Sequence, residues 1–343
     1  MPDSTPIRGR IRLVDVAEQA GVTKSVASRI LSRDETLNVR PNTRERVLEA
    51  ARQLQYAPHA GARSLVASRS GAISLLIPDL TNPVYARIAR GAYQRARELG
   101  YVVMLAEDNE ATDAQADFTD LVDAGRVDGL LIASARRDHP LIASGRLAAI
   151  PHVFVNRTVP DSGRNITVDL SLASRVAFEY LHGLGHRDLA HISGPDDLSP
   201  ARERESGFTN AAAAAGQPDP LVVHADFSEV GGYDAAEQIL RTRPSVTAIY
   251  AGTFPQTVGA MKALHAHGRG IPEQVSLLSY DDLPMAAYLQ PALTTLKLPL
   301  QELGSSAVDE LVRQLEGQPP RDLTLDTRIH IVERESVAEP ATR

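Results

Sequence analysis

The chain contains no cysteine, which excludes disulfides and thiolate chemistry and fits a cytoplasmic protein. No run of about 18 apolar residues occurs, so no membrane-spanning helix is expected. The opening residues MPDSTPIRGRIRL have no apolar core segment, and no secretory signal is expected there. Phosphate loops are missing as well. There is no G-x-x-x-x-G-K-[ST] and no G-x-G-x-x-G behind a strand, which argues against an NTPase or a dehydrogenase. No G-x-S-x-G elbow presents a serine nucleophile. His182 and His186 are four apart, but HGLGH lacks a metallopeptidase glutamate and carries two glycines, so a helix end capped at Gly185 is the better reading. No catalytic residue, metal site or cofactor is assigned.

What is present is enough chain for two or three domains: 343 residues, 43% of them hydrophobic. The net charge of -7 conceals an asymmetry. Residues 1–70 hold twelve Lys and Arg against seven Asp and Glu, and the remainder holds 24 against 36. A basic head on an acidic body can neutralise phosphates locally while the body resists nonspecific adhesion.

The most informative stretch is LVDVAEQAGVTKSVASRILS, Leu13 to Ser32. Val14, Val16, Ala17 and Ala20 recur at helical spacing, Gly21 breaks the helix, and Thr23 is placed to cap a second one. That second helix turns Val22, Val26, Ile30 and Leu31 inward and Lys24, Ser25, Ser28 and Arg29 outward. The pattern predicts a helix-turn-helix for the DNA major groove, with a plain helical hairpin as the alternative. After a polar loop (RDETLNVR), Pro41 opens a third helix whose apolar face is read as Val47, Leu48, Ala51 and Leu54, with Tyr56 packing on it. YAPHAGARSLVASRSG, residues 56–71, reads as a small-residue interdomain linker.

From Ala72 the pattern changes. AISLLIP, YVVMLAED, DGLLIAS, HVFVN and ITVD read as buried strands, and LAHISG, LVVHAD, TAIYAG, VSLLSYD and TTLKL form a second series. Apolar strands separated by helices indicate parallel sheets covered on both faces, here two doubly wound lobes with ligands at the carboxyl ends of the strands.

DVAEQAGVTKSVASRIL resembles the N-terminal headpiece of the LacI/GalR family of bacterial transcription regulators. The body is similar to the type I periplasmic-binding-protein fold that forms this family's effector domain. IPDLTNPVYARIARGAYQRARELGY, VDGLLI, FVNR, LGHRDLAHISG, ARERESGF, YDDLP and PALTTLKLPLQELG match its landmarks in order. The fold expected is therefore an all-α helix-turn-helix headpiece followed by an α/β two-lobed domain. Its expected divisions are a headpiece over 1–57, a hinge over 58–70, a body over 71–335 and a tail over 336–343. The resemblance implies three crossings between lobes, near Asp169, near Pro299 and before the final strand.

It further implies a homodimeric, ligand-responsive regulator, most often a repressor, binding a palindromic double-stranded DNA operator. Lys24, Ser25 and Arg29 would face base edges, and Thr23, Ser28 and Asn38 would face phosphates. A hinge matching at Tyr56, Pro58, Ala62 and Leu65 would put Ala62 and Leu65 in the minor groove, Leu65 as an apolar wedge. A small molecule, a carbohydrate or related metabolite, would sit between the lobes against Asn82, Val84, Tyr85, Asn156, Arg204, Phe208, Thr253, Phe254 and Asp281. Ordinary packing explains Tyr85 and Phe208 equally well, a turn cap explains Asn156, and Asp282 could support the loop. Departures from the family pattern are Val26, Ala27, Ser32, His59, Arg40 as the cap before Pro41, and a loop about two residues longer before the third helix. AGTFPQ at 251–256 replaces a usual amide and carboxylate by Thr253 and Phe254, which suggests a less hydroxylated ligand or one stacked on Phe254. An extracytoplasmic-type binding protein without a DNA role is the alternative.

Overall fold

A computed structural model describes residues 11–32, 34, 36–56, 69–107, 122, 124–133, 145–326 and 329–341. The chain divides into two compact units, Met1–Gly71 and Ala72–Arg343.

In the first unit three helices close one small core. These are α1 (Leu13–Gln19), α2 (Lys24–Leu31) and α3 (Pro41–Gln53). Gly21 takes a left-handed φ of 64° between α1 and α2, and the Thr23 hydroxyl accepts the Val26 N–H at 3.4 Å to cap α2. Val16, Ala17, Ala20, Ala27, Ile30, Val47, Ala50 and Ala51 are buried together, with Tyr56 packed against them. The apolar face of α3 departs from the sequence reading at one position: Leu48 is 41% exposed and Ala50 is buried instead. Positions 47, 50, 51 and 54 fall on one side of a 3.6-residue helix, and 48 does not. Arg40 precedes Pro41 without a side-chain cap.

The second unit contains two six-stranded sheets. The first has the order β11-β5-β4-β3-β1-β2, with β1 (Ala72–Ile77), β2 (Val102–Glu107), β3 (Gly129–Ile132), β4 (His152–Val155), β5 (Asn165–Thr167) and β11 (Leu323–Thr324). The second has the order β12-β10-β9-β8-β6-β7, with β6 (Leu189–Ser193), β7 (Leu221–His224), β8 (Ala248–Ala251), β9 (Ser276–Tyr280), β10 (Thr294–Lys297) and β12 (His330–Val332). Their pairings are parallel except β10 with β12. β1, β3, β4, β6, β8 and β9 are buried along their whole length, apart from the half-buried Ala72, as covering both faces of a sheet requires. Helices α4 (Pro83–Glu98) and α9 (Leu300–Leu315) pack together, as do α5 (Leu170–Gly183) with α6 (Ser199–Ala214), and α7 (Glu229–Thr242) with α8 (Phe254–Ala266).

The chain passes between sheets three times: from β5 through α5, from β10 through α9, and from β11 to β12. Glu310 on α9 fastens the second passage, taking Arg313 and Arg321 at 2.6 Å each. Asp282 fastens the third, accepting from Thr295 at 2.8 Å and Arg334 at 2.7 Å.

Two segments pack differently from what their composition suggests. β2 is an edge strand whose Val102, Met104 and Leu105 are exposed, because only one neighbour pairs with it. The first residues of the 336–343 tail pack against the second sheet. Ser336 is fully buried and bonds to Leu277 and Thr294, and Ala338 accepts from Ser276 at 3.0 Å while its carbonyl meets the His186 ring at 2.9 Å. Buried backbone must find partners, and this segment supplies them beside the first residues of β9 and β10.

Candidate functional sites: an exposed helix face and an interlobe cavity

On the first unit, α2 buries Ala27 and Ile30 and leaves Lys24, Ser25 and Arg29 exposed, with Ser28 half-buried beside them. Thr23, the cap of α2, and Asn38, in the loop before α3, are exposed as well. Thr23 already accepts a backbone N–H, so its hydroxyl proton is what it can offer a phosphate. Arg29 is not a free arm: its Nε donates to Asp34 at 2.6 Å and its Nη2 to Thr36 at 3.0 Å. Ala62 and Leu65 lie outside the described residues.

On the second unit, the carboxyl ends of the strands from both sheets converge on a cavity of about 400 Å³. The first lobe contributes Asp79, Asn82, Val84, Tyr85, Asn156 and Arg157, and the second contributes Arg204, Phe227, Thr253, Tyr280 and Asp281. Leu298 and Leu300, on the passage between the sheets, also line it. Asn156 directly follows β4 and Asp281 directly follows β9, and both have left-handed backbone, φ 58° and 69°. Asn and Asp enter that region more readily than other non-glycine residues. Such conformations concentrate where a side chain must be aimed.

Arg204 is the electrostatic centre. It is 7% exposed on α6, and its Nη1 donates to the Gly252 carbonyl at 2.8 Å. Its guanidinium carbon stands 4.1 Å from the Tyr280 ring centre and 5.6 Å from that of Phe227, a cation–π arrangement that fixes the group's plane. Its Nε is buried with no hydrogen-bond partner among the described residues. Burial raises the Asp281 carboxyl to about 6, and the Arg204 charge draws it down only in part. Burial likewise raises the Tyr85 and Tyr280 hydroxyls above their ordinary value. Two carboxylates and two guanidinium groups balance, so the wall offers many hydrogen bonds and no net charge.

Of the residues singled out in the sequence, Asn82, Val84, Tyr85, Asn156, Arg204, Thr253 and Asp281 line this cavity. Phe208 and Phe254 do not. Phe208 is fully buried in the core, 5.1 Å from Tyr250 and 5.4 Å from His191 between ring centres. Phe254, the first residue of α8, belongs to the second lobe's core. Thr253 reaches the wall, but its hydroxyl is engaged with Gln256 at 3.1 and 3.3 Å as the cap of α8. Asn82 likewise caps α4 through its carbonyl oxygen, leaving its amide hydrogens. The aromatic face is Phe227, just past β7. Gly194 makes room for it: a Cβ there would lie 2.2 Å from the Phe227 ring. Asp79, Arg157, Phe227 and Tyr280 were missed in the sequence. Each sits at or within a few residues of a strand's carboxyl end, a rule that would have found them.

A helix-turn-helix with an open polar recognition face, carried on one chain with a two-lobed α/β unit around a polar cavity, defines a ligand-responsive DNA-binding regulator. Residues 12–59 match the family of bacterial regulatory proteins, lacI family, and residues 70–333 match periplasmic binding proteins and sugar binding domain of LacI family. The chain belongs to the LacI family. It is 30% identical to the ribose operon repressor of Halalkalibacterium halodurans over 94% of this chain and 96% of that one. Among solved structures it is similar to a transcriptional regulator CelR–cellobiose complex, with a TM-score of 0.73 at 30% identity over 95% of this chain and all of the other. It is also similar to a lac repressor dimer bound to operator and the anti-inducer ONPF, with a TM-score of 0.84 at 27% identity over 96% and 99%. Among the described residues no helix is long and apolar enough to cross a membrane.

Proposed function

We propose that the chain is a cytoplasmic repressor that binds a near-palindromic operator as a homodimer and is controlled by a neutral, hydroxyl-bearing small molecule in the interlobe cavity. The observation that carries the DNA half is α2: a capped helix whose Lys24, Ser25 and Arg29 face solvent together while its other side closes the headpiece core. Lys24, Ser25 and Arg29 read base edges, Thr23, Ser28 and Asn38 hold phosphates, and Ala62 and Leu65 enter the minor groove as the hinge over 58–70. Relatives named as operon repressors, and a related repressor solved as a dimer on its operator, support this reading. Exposed apolar side chains support a second copy: Val102, Met104 and Leu105 on the edge strand, and Val230, Met285 and Tyr288 on the other lobe.

The cavity favours an uncharged polyol. Asp281 and Asn156 accept or donate to hydroxyls, Arg204 donates from a fixed plane, and Phe227 covers a carbon face. The Thr253 and Phe254 departure removes polar partners from one side, so the ligand is less hydroxylated on that side than a simple hexose. Occupancy favours one arrangement of the lobes, and because the coupling is a free energy it is reciprocal: operator binding alters ligand affinity by the same factor.

Selection of the full chain against random duplex DNA tests the reading. Enrichment of a two-fold symmetric site is expected, and Arg29→Ala should lose about 1–3 kcal/mol of discrimination at one base pair per half-site. A folded protein that enriches no sequence would overturn it.

A further inference from the structure

The tie between Arg29 and the loop after α2 goes beyond a surface ion pair. Arg29 Nε donates to Asp34 Oδ2 at 2.6 Å, and Nη2 donates to Thr36 Oγ1 at 3.0 Å. The other carboxylate oxygen, Oδ1, accepts from the Thr36 N–H at 2.9 Å and from its hydroxyl at 2.6 Å. The Asp34 N–H in turn bonds the Arg29 carbonyl at 3.0 Å. Every oxygen in this closed circuit has a stated role, and the loop that supplies it is anchored to the end of α2. The bonds from Thr36 first and Arg29 second lower the Asp34 carboxyl to about 2.

A guanidinium is planar and has two usable edges. The Nε–Nη2 edge is consumed by Asp34 and Thr36. That leaves the outer pair, Nη1–H and the second Nη2–H, parallel to one another, aimed along the side-chain axis and without a partner among the described residues. A parallel N–H pair at this spacing matches guanine O6 and N7 in the major groove. Holding the side chain in place before DNA arrives also removes rotamer freedom that an unrestrained arginine would lose on binding. The buttress sets a negative charge directly beside the arginine, which disfavours polyanionic DNA wherever Arg29 gains no guanine contact to offset it.

We propose that Asp34, with Thr36, is a specificity-determining positioning residue that locks Arg29 so that its outer fork is presented to a guanine. This rests on α2 being the DNA-reading helix. Asp34 itself touches no base.

The test measures binding of full-length wild type, Arg29→Ala, Asp34→Ala and the double variant to the selected operator and to operators changed singly at each position, with thermal melts confirming folding. Thr36→Val, which keeps the carboxylate and removes the Oγ1 acceptor, serves as a second variant. Asp34→Ala should lose about tenfold in discrimination at the same base pair as Arg29→Ala and no other. Its binding to unrelated DNA should be unchanged or stronger, and in the double variant it should add little to Arg29→Ala. If Asp34→Ala and Thr36→Val keep full discrimination there while Arg29→Ala loses it, the buttress is overturned and the DNA reading stands. Equal weakening of Asp34→Ala on all sequences overturns it too, as the mark of a merely structural loop residue. If wild type shows no sequence preference, both readings fall together.

Discussion

Replacing Asp281 by Asn should make the protein more stable at neutral pH while it loses its ligand. Asp281 is 2% exposed, and its left-handed backbone suits Asn as well as Asp. Its carboxyl sits at about 6 instead of 3.8 because burial disfavours the charge more than Arg204 favours it. In the unfolded chain it titrates near its ordinary value, so between those two values the folded state holds the extra proton. Stability from this group is therefore complete below the unfolded value and is lost as pH rises through the folded one. A shift from 3.8 to about 6 corresponds to about 3 kcal/mol above that range, at about 1.4 kcal/mol per unit. Asn removes this penalty but leaves a buried amide to satisfy, which costs about 1 kcal/mol. The net gain near pH 7.5 is about 1–2 kcal/mol, or roughly 2–6 °C in Tm for a unit of this size. Near pH 4 the gain disappears and the amide cost remains. Thermal unfolding of both proteins from about pH 4 to 8 measures this, with calorimetry to confirm that ligand heat is lost. Equal destabilisation of Asp281→Asn at every pH, or an advantage that grows toward acid, would show that the buried Asp281 charge carries no such penalty.

Gly194→Ala should weaken ligand binding with little effect on stability. Its Cβ would strike the far end of the Phe227 ring at 2.2 Å, and a ring tip can swing aside, so melting should change by less than about 1 kcal/mol. Affinity for any cavity ligand found by thermal-shift screening should nevertheless fall about tenfold, since the aromatic face has moved. Glu310→Ala should cost about 2 kcal/mol of stability, measured by denaturant unfolding, because it removes the buried carboxylate shared by Arg313 and Arg321. The figure is at the low end for a buried pair because both arginines are partly exposed and regain water.

The headpiece was legible because its signals are local. Gly21, Thr23 and the spacing from Val16 to Ile30 specify two helices without reference to anything distant. The ten strands from Ala72 to Lys297 were legible for a similar reason: short apolar runs between helices. Burial of a strand, however, depends on its place in the sheet, which composition does not carry. β2 reads as apolar as β1, yet it has one neighbour and exposes Met104 and Leu105. Leu48 was misplaced by counting apolar residues without their helical phase.

The cavity was legible where a family motif and a strand end coincide, at Asn156, Arg204 and Asp281. It failed at Phe254, where a hydrophobic residue one position past a cap turned into the core while Phe227, more than twenty residues away, took the wall position. That exchange depends on Gly194 and on the course of the loop after β7. Ser336 and Ala338 read as tail because their partners, Leu277, Ser276 and His186, lie more than fifty residues back in the chain. The Arg29–Asp34–Thr36 circuit was invisible for another reason: polar loop residues carry no periodicity.

In a ligand-responsive regulator of this kind, occupancy of the interlobe cavity changes the affinity of the headpiece for DNA. The direct measurement is operator binding by fluorescence anisotropy, at fixed salt, with and without each neutral sugar or related polyol that raises the melting temperature of the full chain. A compound that stabilises the protein should change the operator Kd at least about fivefold, within the usual range of coupling free energies. Both effects should vanish in Arg204→Ala. A compound that binds in an Arg204-dependent manner and leaves operator affinity unchanged would show that the cavity and the headpiece are not coupled.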